Sequence, residues 1–291
     1  MSFDVFNSMI SKTIGESDII PSRHIAIVGS SGAGKTTWSC RAKNCLVLLT
    51  ESQAEGRVGD TNRDARVVVI TRDQGIPEYD NLSDFQKMTH CIKWITRDLL
   101  SENSEWVPSV IVVDSFTELF RMVADEVGES GNKSWTFETW KKYSDMCVRL
   151  VRKFRDMGPM LIGTFLDESA DGGDGQVPIR RMSLGTKKLP GVVAAMFDMV
   201  FWAEVKERQN GDVVHALRTV GGFYNGQRLE QGKGHPALDK WLDPSIETPD
   251  MVVEKIAKWR EEGQLSGKPK KEKKNGKQKK SKVIPQPEDV L

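Results

Sequence analysis

A chain of 291 residues is long enough to bury a sizeable core, in one large domain or two small ones. With 38% hydrophobic and 29% charged residues it has the composition of an ordinary globular protein, and no apolar run approaches the ~20 residues of a membrane span. The net charge of +1 hides an asymmetry: residues 264–282 hold nine lysines against one glutamate, which leaves the body of the chain mildly acidic.

The first residues lack both a basic segment and an apolar stretch, so no secretory signal and a cytoplasmic location are expected. Phe3, Phe6, Met9 and Ile10 are spaced for a short amphipathic helix that Pro21 ends. Residues 1–22 then either pack on their own domain or form an oligomerisation arm. Cys40, Cys45, Cys91 and Cys147 show no Cys-x-x-Cys spacing, as expected of free, buried thiols rather than a zinc site.

Residues 24–28 form an apolar predicted strand, followed by Gly29, Ser30, Ser31, Gly32, Ala33, Gly34, Lys35 and Thr36. This is Gly-x-x-x-x-Gly-Lys-Thr, and residues 37–43, from Thr37 on, are expected to continue as a helix. The glycines let the backbone turn tightly, so that successive N–H groups face phosphate oxygens, and the helix dipole adds positive potential. Lys35 can reach the β- and γ-phosphates, and the Thr36 hydroxyl can ligate Mg²⁺. The pattern points to a nucleoside triphosphate, with ATP as substrate and Mg²⁺ as metal.

Residues 45–50 read as a buried parallel strand that ends on Glu51, and residues 66–71 as another, with a polar connection over 52–64. Residues 84–100 have helical spacing. Val110, Ile111, Val112 and Val113 lead to Asp114, a β-branched strand closed by a carboxylate that can orient Mg²⁺ beside the phosphate loop. Helices are expected over 116–129 and 138–157, the second with a basic outer face that is by default a solvated helix side, and a strand over 159–165.

Residues 167–190 look like a flexible loop without regular structure, carrying Arg180, Arg181, Lys187 and Lys188. A short helix at 192–196 precedes two strands, 198–205 and 213–220, joined by a hairpin turn. Residues 221–243 look loop-like, and residues 249–262 form a last helix with Val252, Ile256 and Trp259 inward. Residues 264–291 have the composition of a disordered tail, closing on a short acidic and apolar peptide. The organisation expected is an α/β core over 23–263, with a mainly parallel sheet, helices on both faces and a C-terminal antiparallel hairpin.

Four stretches together resemble the bacteriophage AAA/RecA-core ATPases, some of which act as single-strand annealing proteins. They are the phosphate loop with Thr37 and Trp38, Leu-Val-Leu-Leu-Thr-Glu-Ser-Gln, Val-Ile-Val-Val-Asp-Ser-Phe-Thr-Glu-Leu, and Lys-Leu-Pro-Gly before Phe-Asp-Met-Val. The resemblance covers about residues 23–205 and implies a RecA-like P-loop fold, a ring or filament of identical subunits, and Glu51 as the group that activates water beside Lys35 and Asp114. Glu118 is the competing carboxylate, and Thr164 or Asp167 could sense the γ-phosphate. The family's basic segment near the C-terminal strands is represented only by Gly232, Lys233, Gly234 and His235, which departs from its pattern.

Arg180, Arg181, Lys187 and Lys188 lie where RecA-like folds present a DNA-binding loop; such a cluster can neutralise DNA phosphates, reach a neighbouring subunit's nucleotide, or be a solvated patch. The lysine tail can add affinity for nucleic acid. The function expected is DNA-dependent ATP hydrolysis coupled to single-stranded DNA binding and annealing or recombination in phage DNA metabolism, with a single-stranded-DNA-binding protein as a further partner. The alternative is a nucleotide-gated adaptor that recruits a replication or recombination protein. A helicase-like motor ranks last.

Overall fold

The computed structural model describes residues 24–73, 77–128, 135–171, 176–207 and 212–266. The N-terminal segment and nearly all of the lysine-rich tail lie outside the described residues. The first elements are β1 (Ile25–Val28), α1 (Lys35–Ser39), β2 (Cys45–Leu49), α2 (Glu55–Thr61), β3 (Arg66–Val69), α3 (Pro77–Asp80) and α4 (Asp84–Trp94). Then come β4 (Val110–Asp114), α5 (Phe116–Val127), α6 (Phe137–Arg155), β5 (Met160–Phe165), β6 (Asp167–Ala170), β7 (Ile179–Met182) and α7 (Leu189–Ala194). The chain ends through β8 (Met199–Glu207), β9 (Val213–Arg218), β10 (Gly222–Tyr224), β11 (Gln227–Leu229), β12 (Trp241–Leu242) and α8 (Pro249–Ser266).

Eight strands form one sheet in the order β12-β9-β8-β1-β5-β4-β2-β3. The pairings from β3 across to β8 are parallel, whereas β8 with β9 and β9 with β12 are antiparallel. This is the expected fold class: α/β, mainly parallel, with helices on both faces and an antiparallel C-terminal edge.

The two-residue period of the strands divides the apolar side chains between two cores. Ile25, Ile27, Val47, Leu49, Val110 and Val112 face one side with Trp38, Val252 and Ile256 of the helices α1 and α8. Ala26, Val28, Leu46, Leu48, Ile111 and Val113 face the other, under α4, α5, α6 and α7. The centre of that second core is Phe116. Its ring stacks on Phe165 at 5.3 Å and meets Phe154 edge-on at 5.8 Å. Gly163 makes room for it, because a Cβ there would stand 2.6 Å from the Phe116 ring.

Several connections differ from expectation. The segment over 52–64 holds a 3-10 turn and α2. Residues 167–190 are not an irregular loop: β6 and β7 pair antiparallel within them, and α7 begins at Leu189. The stretch 221–243 supplies β10, β11 and β12, the first two completing a second sheet ordered β10-β11-β7-β6. Those strands are two to four residues long, too short to show a periodic pattern, although β10 and β11 are joined by Asn225 and Gly226, a local hairpin turn. Helix α1 also stops early, at Ser39, where the Cys40 N–H turns back to the Thr36 carbonyl and the Arg41 N–H to that of Trp38.

The four cysteines are free and buried, and burial pushes the Cys45 thiol up to about 11 and those of Cys91 and Cys147 up to about 12. Trp259, expected inward, is 37% exposed and meets His235 edge-on. Among the described residues no helix is long and apolar enough to cross a membrane.

Candidate active site

The loop after β1 lies at the carboxyl end of the parallel strands, where open α/β sheets bind ligands. Gly32 and Gly34 have φ of 79° and 86°, the left-handed region that side chains other than glycine's rarely adopt. Gly34 also abuts the His215 ring, which a Cβ would meet at 3.1 Å. Gly29 is pressed onto β8, with the Ala203 carbonyl 2.6 Å from where its Cβ would be. Gly29 is thus set by close approach, and Gly34 by close approach as well as by its left-handed turn.

Lys35 opens α1 and is 8% exposed. Its Nζ donates to the carbonyls of Gly29 at 2.7 Å and Ser30 at 2.8 Å, so the ammonium is held across the mouth of its own loop. Burial lowers its pKa, and Asp114, Asp167 and Glu51 oppose that shift. Thr36 Oγ1 donates to Asp114 Oδ2 at 2.7 Å, and Thr164 Oγ1 donates to Asp114 Oδ1. The Asp114 carboxylate, 8% exposed, therefore has a donor on each oxygen.

The ends of β2 and β4 are tied together. Leu49 pairs with Asp114, and the Thr50 N–H and Oγ1 donate to the Asp114 carbonyl at 3.0 and 3.1 Å. Thr50 Oγ1 in turn accepts from the Ser115 N–H at 3.0 Å. The next residue is Glu51, which this tie sets beside Asp114 in a cleft of about 400 Å³. Ser31, Gly32, Gly34, Lys35, Thr36 and Thr37 form one wall, while Glu51, Arg57, Asp114 and His215 complete it.

Glu118 is not part of that lining. Ser115 caps α5 by accepting from the Glu118 N–H at 3.3 Å, and the Glu118 side chain pairs with Arg121. Thr164 is fully buried beneath Asp114, and Asp167 is bound to Arg180, so neither lines the cleft.

The four basic residues read as one cluster separate. Arg180 Nε donates to Asp167 at 2.8 Å and its Nη1 to Glu204 at 2.9 Å, with the guanidinium over Trp202. Burial pushes Glu204 up in pKa, and Arg180 opposes that shift. Arg181 Nε is bound to Glu168 at 2.7 Å. Lys187 and Lys188 are exposed. Lys233 is exposed but engaged, with its backbone paired to Val200 and Nζ donating to the Phe197 carbonyl at 2.8 Å.

Arg57 and His215 reach the cleft without a signal in the sequence. Arg57 lies in the stretch that looks like a polar connection, and His215 is one alternating position of a strand. The cleft adjoins, across Gly34, Thr37 and His215, a second cavity of about 810 Å³ walled by Trp241, Pro244 and Lys206.

Residues 22–240 match the family model of an AAA domain. No curated protein matches the chain. Among solved structures, the flagellar accessory protein FlaH from Methanocaldococcus jannaschii is 10% identical, with a TM-score of 0.35 over 83% of this chain and 90% of that one. An ATPase from the type III secretion system of pathogenic bacteria is 15% identical, with a TM-score of 0.39 over 63% of this chain and 51% of that one.

Proposed function

The chain belongs to this AAA-domain family, and on that premise we propose that it binds and hydrolyses ATP in the cleft after β1 and uses the cycle to handle single-stranded DNA. In this reading it promotes annealing or recombination in phage DNA metabolism, in the cytoplasm of a bacterial host. The observation that carries the ATPase part is the gathering of Lys35, Thr36, Glu51 and Asp114 around one cleft.

The residues present fit a metal-bound triphosphate. Thr36 and Asp114 already share a hydrogen bond and supply oxygen donors of the kind Mg²⁺ takes. Bound Mg²⁺ would neutralise charge on the β- and γ-phosphate oxygens. The loop N–H groups and Lys35 bind and orient the triphosphate, while Thr164 keeps Asp114 in position. Glu51 accepts a proton from the attacking water and orients it. The adjoining cavity beside His215 and Trp241 accommodates the nucleoside.

The DNA part is supported by exposed Lys187 and Lys188 and by the lysines of the tail, which suit backbone phosphates. Assembly into a homo-oligomer, and a single-stranded-DNA-binding protein as partner, belong to the same proposal. The commitment of Arg180 and Arg181 to carboxylates favours a second reading, the nucleotide-gated adaptor.

ATP turnover with and without single-stranded DNA, in the wild type and Lys35→Ala, tests both. Turnover that needs Lys35 and rises with DNA is expected. Turnover indifferent to DNA, with no DNA bound at low salt, would leave the adaptor.

A further inference from the structure

We propose that Arg57 is a second catalytic cation of this site, delivered by α2 of the same chain to the γ-phosphoryl group. The proposal rests on the ATPase reading above.

The placement follows from how α2 is anchored. The helix begins four residues after Glu51, through a turn in which the Ala54 N–H donates to the Glu51 carbonyl at 3.3 Å. Val58 is fully buried in the core around Trp38, which fixes the rotation of the helix. Ala54 and Arg57, three residues apart and so on one face, both line the cleft on the side of Glu51.

Arg57 is also uncommitted. Among the described residues it has no ion-pair partner, whereas Arg72 is bound to Glu55, Arg121 to Glu118, Arg180 to Asp167 and Glu204, and Arg41 to the Pro244 carbonyl. An arginine left exposed at the rim of an anion-binding cleft is matched by charge to what enters it.

The charge balance of the cleft calls for such a group. Glu51 and Asp114 bring two carboxylates, and Lys35 and Arg57 are the lysine and arginine of the lining. Lys35 is already held by the carbonyls of Gly29 and Ser30. During hydrolysis the water oxygen bonds to the γ-phosphorus as the bond to the bridging oxygen breaks. The electron pair leaves with ADP, and the water proton passes toward Glu51. Charge therefore builds on oxygens beside Glu51, where a guanidinium can bind two of them. Lys233, the basic residue nearest to the family's C-terminal segment, is occupied within its own chain.

Steady-state hydrolysis by full-length Arg57→Ala and Arg57→Lys, together with ADP affinity, decides the matter. Arg57→Ala should lower kcat by ~10²-fold or more while leaving KM and ADP affinity near wild type, with Arg57→Lys between. Mixing Arg57→Ala with Lys35→Ala should restore nothing, because the two residues act in one chain. Unchanged kcat in Arg57→Ala would overturn the proposal while the ATPase reading stands. Recovery on mixing would also overturn it, by moving Arg57 to a neighbour's site. A wild type that does not hydrolyse ATP would bring down the ATPase reading and the proposal with it.

Discussion

Thr36 Oγ1 and Asp114 Oδ2, 78 positions apart in the chain, are joined by a 2.7 Å hydrogen bond at the head of the phosphate-binding helix. Thr164 holds the other oxygen of the same carboxylate from below. Thr164→Val removes a donor from a buried carboxylate, which should cost ~1–3 kcal/mol of stability. It should also raise the Mg²⁺ concentration needed for turnover by ~10-fold or more. A thermal melt and a Mg²⁺ titration read the two effects, and an unaltered Mg²⁺ requirement would deny Thr164 its positioning role.

Glu51 and Glu118 are separated by environment. Glu51 lines the cleft, whereas Glu118 is spent on Arg121. Glu51→Gln should keep nucleotide affinity and lose turnover by ~10²-fold or more. Glu118→Gln should leave turnover unchanged and alter stability by less than ~1 kcal/mol, since its partner is on the surface. Normal turnover in Glu51→Gln would transfer the role to another group.

The buried ammonium of Lys35 makes binding depend on pH. Burial lowers its pKa, so in the empty protein it loses its proton below the ordinary lysine range. A triphosphate favours the charged form and restores the proton. Affinity should therefore be full below the depressed value and fall as pH rises through it, with protons taken up on binding in the window up to the ordinary lysine value. The empty protein should behave in the opposite sense and gain stability as pH rises across that window, because its native state binds fewer protons than the unfolded chain. Calorimetry in buffers of different ionisation enthalpy measures the uptake; none anywhere in the alkaline range would contradict the assignment.

Phe116 and Gly163 should be coupled by packing. Phe116→Ala empties the centre of an aromatic cluster and is expected to cost ~3–5 kcal/mol. Gly163→Ala places a methyl group 2.6 Å from the ring and should cost ~1–3 kcal/mol. The double variant should be less destabilised than the sum, since removing the ring makes room for the methyl. Additive losses in denaturant unfolding would show that the two sites do not communicate.

The basic residues should divide in their effects. Lys187→Glu with Lys188→Glu should weaken single-stranded DNA binding and flatten its salt dependence by ~0.7 in logarithmic slope for each DNA phosphate left unneutralised, with stability unchanged. Arg180→Ala strands Asp167 and Glu204 and should instead cost ~3–5 kcal/mol of stability. Fluorescence anisotropy with an oligothymidylate across a salt series, paired with melting curves, separates the two. A salt slope untouched by the lysine pair would move the DNA-binding surface elsewhere.

The parts of this protein that one continuous stretch of chain encodes were legible in its sequence. Residues 29–36 carry their own turn glycines, lysine and hydroxyl, and the apolar runs around 45–49 and 110–114 announce buried parallel strands, because spacing along a chain is a local property. Tertiary structure decided what depends on distance across the fold. Asp114 gained two donors from a helix and a strand far away in sequence, and Glu51, unlike Glu118, came to line the cleft through the register of β2 on β4. Arg180 passed from a basic loop into a buried ion cluster, and Arg57 and His215 came to the cleft without any local signal. The second sheet was hidden because its strands are too short for a pattern and because β11 joins β7, about fifty residues away, only in the folded chain.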